Sequence, residues 1–235
     1  MIDVGLLASM LVVLIVPSVF VRAWPESAVA TGLLDVASGA LLIGIAVGRL
    51  AAVAIDDPGS LTSISDLLII RSGVEFWPGA AAGVAWVAVG ARRDHVSPAS
   101  RLAAITAPAL VAWACYEATC LLRDGCPGPL SSIGLRPAGL VQRMFPISLG
   151  VAAAAVGAAA LVRRWHRRGM PDLQVIAATL IALASIRSVA SIWLPHIGDG
   201  PTRQHRTSIA VGVIASIGLV ALRLRELPSA TMEDS

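Results

Sequence analysis

The chain has 235 residues, of which 56% are hydrophobic and only 14% charged, and its mean hydropathy is +0.78. Soluble domains carry about 25% charged residues, so an ordinary soluble domain is excluded. The net charge of +3 and isoelectric point near 9.2 come from arginines gathered at the ends of apolar runs. That placement excludes a nucleic-acid surface and suits anionic headgroups, at about 1 kcal/mol per arginine.

Seven apolar stretches follow in order, at approximately 4–22, 29–55, 74–91, 101–122, 144–162, 173–194 and 207–222. Each is near the roughly 20 residues needed to cross a hydrocarbon core. The expected fold is therefore all-α: a polytopic membrane protein of seven transmembrane helices forming a single domain over 1–235. The first stretch starts Met1-Ile2-Asp3, with no basic residue. Its apolar run also exceeds the roughly 7–15 residues of a secretory signal core, so it reads as a true span. The second is long enough to tilt, to bend or to begin outside the lipid.

Residues 56–73 open with the turn Asp56-Asp57-Pro58-Gly59 and continue into an apolar piece too short to span, which reads as a helix lying in the interface. In the third span Gly79 and Gly83 form a G-x-x-x-G pair, whose simplest use is close helix packing. Residues 123–143 are rich in Gly, Pro, Ser and Arg and carry no helix pattern. Loops of that length are usually functional or disordered. The tail, 227–235, is short and polar.

Orientation rests on arginine, because the chain has no lysine. With the N-terminus outside, the inner segments hold Arg22, Arg92, Arg93, Arg101, Arg163, Arg164, Arg167, Arg168, Arg223 and Arg225. The outer segments hold Arg49, Arg71, Arg123, Arg136, Arg143, Arg203 and Arg206. The cluster Arg163-Arg164-Trp165-His166-Arg167-Arg168 is the strongest inside marker. The expectation is N-terminus outside, C-terminus inside.

Charges within spans cost about 2.5–3.5 kcal/mol each on insertion scales and mark functional candidates. Asp35, Arg49, Glu117 and Arg187 are of this kind. They read either as structural pairs, with Arg49 or Arg187 neutralising Glu117, or as the lining of a polar cavity. Arg49 has the further option of snorkelling to the headgroups. For Arg187, at mid-span, an anionic ligand such as a phospholipid headgroup is the natural partner, because guanidinium matches phosphate as a planar fork.

Of the cysteines, Cys120 and Cys126 fall on the outer side and are placed for a disulfide in an oxidising compartment. Cys115 reads as a small buried thiol, and a nucleophilic role for Cys120 finds no base beside it in sequence. His95, His166, His196 and His205 are scattered along the chain away from the cysteines, so no metal site is expected, and no cofactor. His95 and His166 read as solvated. His196 and His205 read as outer-loop residues near headgroups or substrate.

The order of these features resembles the prolipoprotein diacylglyceryl transferases of bacterial inner membranes. Gly48-Arg49-Leu50 ends the second span as that family's Gly-Arg pair does. Ser72-Gly73-Val74-Glu75-Phe76-Trp77-Pro78-Gly79 resembles its G-G-M-S-F-H-G-G stretch, and Ala107-Pro108 its Ala-Pro pair. Tyr116-Glu117-Ala118-Thr119-Cys120, running on through Arg123 to Cys126, falls in register with its G-R-x-G-N-F or G-R-x-G-C-F signature. Phe145-Pro146 resembles a later H-P pair, and Arg187 the arginine of the sixth span.

The resemblance implies transfer of a diacylglyceryl group from phosphatidylglycerol to a lipobox cysteine, with phospholipid and a lipoprotein precursor as partners. It points to Glu117 and Arg187 as catalytic residues, and to Arg49, Gly73, Glu75, Trp77, Gly79, Cys120 and Arg123 as substrate-binding ones. The departures are specific. Glu117 stands where the signature has arginine, Trp77 where the earlier motif has histidine, and Gly150-Val151 where Tyr-Glu follows the later proline. Ser191 and Leu194 replace charged residues after the span-six arginine. A glutamate where the family holds phosphate points to a changed substrate or to a catalytically inactive lipid-binding or assembly subunit with the same fold.

Overall fold

The computed structural model describes residues 8, 11–13, 15, 16, 19, 32–56, 58, 59, 75–122, 126, 128–136, 141–193 and 201–226. The described residues of the expected first span are helical; the rest of that span, the interfacial segment over 60–70, Gly73, Arg123, His196 and the tail lie outside the described residues. Contacts divide the chain into two compact units, Pro25–Ile105 and Met1–Trp24 with Thr106–Ser235, and each is described by itself.

In the unit Pro25–Ile105, helix α1 is Leu33–Asp56 and α2 is Phe76–Arg93. Gly32, at φ +72°, makes the turn into α1, and its carbonyl accepts the first helical bond from Val36 N. Asp35 is exposed in the first turn of α1. Asp35, expected several residues into the second span, thus sits in the first turn of a helix that starts at Leu33, where the macrodipole favours a carboxylate. Helix α2 carries Pro78 in its first turn, where a missing N–H costs nothing. It closes on Arg92 and Arg93, and a left-handed His95 (φ 56°) turns the chain.

The two helices pack along glycines. A Cβ on Gly79 would stand 2.5 Å from Gly44 O, and one on Gly44 would stand 3.0 Å from Gly79 O. Close backbone approach is the usual device for joining helices where lipid removes the hydrophobic drive.

Helix α3, Pro98–Ala118, begins on a proline, contains Pro108, and tightens into a 3-10 turn, Thr119–Leu122. The second unit continues with strand β1, Leu130–Leu135, then α4, Ile147–Arg167, α5, Asp172–Trp193, and α6, Arg203–Glu226. Helix α5 packs against both α4 and α6. Small residues let α3 and α4 meet at Ala114, Ala152 and Ala155, with Trp113 and Ala118 alongside. Between α4 and α5, Gly169 (φ +80°) and Pro171 make the turn, and His166 faces Asp172 at 3.5 Å.

Among the described residues, five helices are long and apolar enough to cross a membrane: Leu33–Asp56, Pro98–Leu122, Ile147–Arg167, Asp172–Trp193 and Arg203–Arg225. The predicted third span coincides with α2, which ends in two arginines and falls outside that set. The predicted fifth begins at 144, yet α4 starts only at Ile147. Residues 143–145 are instead extended: Ser131 N donates to Arg143 O and Phe145 N to Pro129 O. Among the described residues, mostly helical, there is therefore one short β-ribbon, in a segment whose sequence showed only the absence of a helix.

Candidate functional site: a polar cavity among four helices

Within the second unit, α3, α4, α5 and α6 each turn one face to a cavity of about 60 Å³. Helical spacing selects those faces. Trp113 and Glu117 are four apart on α3, Ser148 and Val151 three apart on α4, Arg187 and Ser191 four apart on α5, and Gln204 and Ser208 four apart on α6. The volume holds a few waters or one small oxyanion, well short of the roughly 300–1,000 Å³ of pockets that enclose a whole organic ligand.

Each charged group is held from the side. Trp113 Nε1 donates to Glu117 Oε1 at 3.0 Å, which fixes one carboxylate oxygen. The Arg187 guanidinium lies 6.0 Å over the Trp113 ring, and its Nη2 donates to Gln204 Oε1 at 3.0 Å. The cation is thus stacked on an aromatic face and bonded to an amide, both favourable for arginine.

Behind this pair, Thr202 accepts from His205 N at 3.1 Å and caps α6. His205 Nδ1 lies 2.7 Å from Ser191 Oγ and 3.1 Å from Ser188 O. A carbonyl only accepts, so Nδ1 is the donor in the contact with Ser188 O. Ser191 Oγ donates to Ser188 O at 2.8 Å. The imidazole therefore clasps α6 to α5. This corrects the expectation of His205 in an outer loop: it belongs to the first turn of α6, where Thr202 starts the helix.

Of the residues singled out from sequence, Glu117 and Arg187 meet in this cavity. Cys120 lies just beyond Glu117, but it is 4% exposed and bonded to Cys126, with Cα atoms 4.9 Å apart. It has no thiol to offer a substrate. Arg49, Glu75, Trp77 and Gly79 belong to the other unit. There Glu75 N donates to Gly48 O at 3.0 Å, which sets the start of α2 beside the buried Arg49. Trp77 meets Phe76 edge to face at 5.1 Å. Gly79 is taken up by its contact with Gly44. Gly73 and Arg123 lie outside the described residues.

Sequence reasoning missed Trp113, Gln204, Ser148 and Ser208, and met Ser191 only as a departure from a motif. A signal was present: Trp113 stands one helical turn before Glu117, and Gln204 and Ser208 lie one turn apart at the start of the last span. No protein-family model and no curated protein matches the chain.

Proposed function

We propose that this is a multi-pass protein of a bacterial inner membrane, N-terminus outside, that binds the phosphate of an anionic phospholipid at Arg187 and transfers its diacylglyceryl group to a thiol, in the manner of the prolipoprotein diacylglyceryl transferases it resembles. The observation that carries this reading is the convergence of Glu117 and Arg187, from different helices, on one polar cavity. The disulfide at the end of α3 supports placing that end in an oxidising compartment.

The chemistry asks for two groups. The thiol sulfur attacks the glyceryl carbon, the C–O bond to phosphate breaks, and glycerol phosphate departs with the electron pair. Arg187, preorganised by Trp113 and Gln204, stabilises that leaving charge. Glu117, with one oxygen held by Trp113, takes the thiol proton on the other. In this reading the Trp113 N–H on Glu117 Oε1 is also what tempers the carboxylate's repulsion of the phosphate.

A second reading, a lipid-binding or assembly subunit without catalysis, is favoured by the cavity's size, since about 60 Å³ is far below the roughly 300–1,000 Å³ of pockets that enclose a whole organic ligand. One experiment separates the two. The purified protein is incubated with labelled phosphatidylglycerol and a lipobox peptide, alongside Glu117→Gln and Arg187→Lys. The transferase reading requires a thioether product that both substitutions remove. Absence of product, together with Arg187-dependent retention of labelled lipid, assigns the second reading.

A further inference from the structure

The extended segment between α3 and α4 carries an apolar surface that neither helix packing nor the cavity uses. Ile133 is 76% and Val141 87% exposed, and Leu130, Leu135 and Phe145 are exposed as well. These residues do not belong to a membrane-crossing helix, so lipid contact along a span does not account for them. Exposed apolar side chains this close along the chain mark a segment that meets something apolar.

The ribbon is tied by a covalent bond and by backbone pairing. The Cys120–Cys126 disulfide ties its entrance to the end of α3. A Cβ at Gly128 would collide with Phe145 O, so the two strands meet backbone to backbone, and Leu130 and Leu135 both bridge Met144. Phe145 is two residues from Ile147, the start of α4, and two residues of extended chain reach only about 7 Å. The opposite strand pairs with it at about 4.8 Å. The headgroup layer is itself about 5–7 Å thick on each side of a core of about 30 Å. With α4 crossing a bilayer from Ile147, that reach leaves Phe145 within the layer or at its outer edge. The ribbon cannot enter the core, because extended backbone with open hydrogen-bonding groups is not tolerated among acyl chains. Arg136 and Arg143, both exposed, flank the apolar residues and match in charge the phosphates at that depth.

We infer that this ribbon is a membrane-surface element: Leu130, Ile133, Leu135, Val141 and Phe145 dip into the boundary between headgroups and acyl chains, while Arg136 and Arg143 meet lipid phosphates. Its partner is the anionic lipid surface. The inference stands whether or not the cavity is catalytic.

The test uses the full chain with Cys115→Ala, carrying Ile133→Cys or, as a second and independent position, Val141→Cys. Each variant is labelled with a nitroxide and reconstituted in vesicles of phosphatidylcholine and phosphatidylglycerol. Collision with oxygen, which concentrates in lipid, is compared with collision with a water-soluble nickel chelate. The expected result is oxygen collision exceeding chelate collision several-fold at both positions. Arg136→Gln with Arg143→Gln should shift both labels toward the chelate in these vesicles and leave them unchanged in pure phosphatidylcholine. Chelate-dominated collision at both positions, with the disulfide intact by non-reducing electrophoresis, would overturn the inference. So would spin–spin broadening that disappears on dilution with unlabelled protein, because a second copy would then cover the ribbon.

Discussion

Arg187 rests over the ring of Trp113, 6.0 Å from its centroid, and the same indole donates its N–H to Glu117. One aromatic side chain therefore organises both charged groups of the cavity by two different interactions, a cation–π contact and a hydrogen bond. Removing them separately tells which matters.

Trp113→Phe retains an aromatic face for Arg187 but leaves Glu117 without its indole donor. Hydrogen bonds between side chains within membrane bundles are worth about 0.6 kcal/mol on average and at most about 1.7, so a loss of that size is expected. Trp113→Ala removes the ring as well and should cost distinctly more, toward the roughly 3–5 kcal/mol of large aromatic truncations. Denaturation in detergent, followed by circular dichroism, ranks the variants. Equal losses in the two would show that Arg187 gains nothing from the ring.

Much of this architecture could be read from composition because the bilayer imposes it. A run of some 20 apolar residues has few alternatives to a helix, and the predicted spans from 101 onward recur within a few residues of α3 to α6. The boundaries moved where local hydrogen bonding competed with hydropathy: Phe145 is apolar but pairs with Pro129, and Thr202 is polar yet starts a helix. Glu117 and Arg187 stood out because charges in lipid are costly. Trp113 and Gln204 did not, because their task depends on which helix faces which, and a single sequence carries no record of that. The ribbon was invisible for a related reason: its pairing joins residues on either side of a long turn-rich stretch.

The contact between Gly79 and Gly44 makes a sharp prediction. Gly79→Ala sets a Cβ 2.5 Å from a backbone oxygen that cannot swing aside, so α1 and α2 must separate. Overpacking of this kind costs about 1–3 kcal/mol. Gly150 and Gly157 in α4 have open space around the same position. Alanine there should be neutral or stabilising by up to about 1 kcal/mol, following helix propensity. Melting temperatures of the three alanine variants in one detergent decide the matter, and a stable Gly79→Ala would refute the close approach.

Three cysteines are present, and the Cys120–Cys126 bond leaves Cys115 as the free thiol. A maleimide should therefore add once to the denatured, unreduced protein and three times after reduction. Closing a loop with sequence separation 6 restricts the unfolded chain by about 2 kcal/mol on the loop-entropy estimate. Reduction should lower the unfolding midpoint accordingly, and Cys120→Ser with Cys126→Ser should show the same midpoint with or without reductant. Three additions without reduction would refute the bond.

The clasp between α5 and α6 depends on where α6 begins, which makes Thr202 a test of the cavity from outside it. Its hydroxyl oxygen accepts from His205 N, and removing such a cap costs about 1 kcal/mol. Thr202→Ala should show that loss and Thr202→Ser should recover most of it, because serine keeps the acceptor. His205→Ala breaks the contacts to Ser188 and Ser191 directly. If the cap works by holding His205 against α5, the two losses cannot simply add, and a double-mutant cycle should return a coupling of about 0.5 kcal/mol or more. Strict additivity would mean that the first turn of α6 is set by its own sequence and that His205 reaches α5 without help from Thr202. Gln204 sits between these two residues and receives Arg187 Nη2, so Thr202→Ala should also weaken Arg187-dependent lipid retention, although Thr202 does not itself line the cavity.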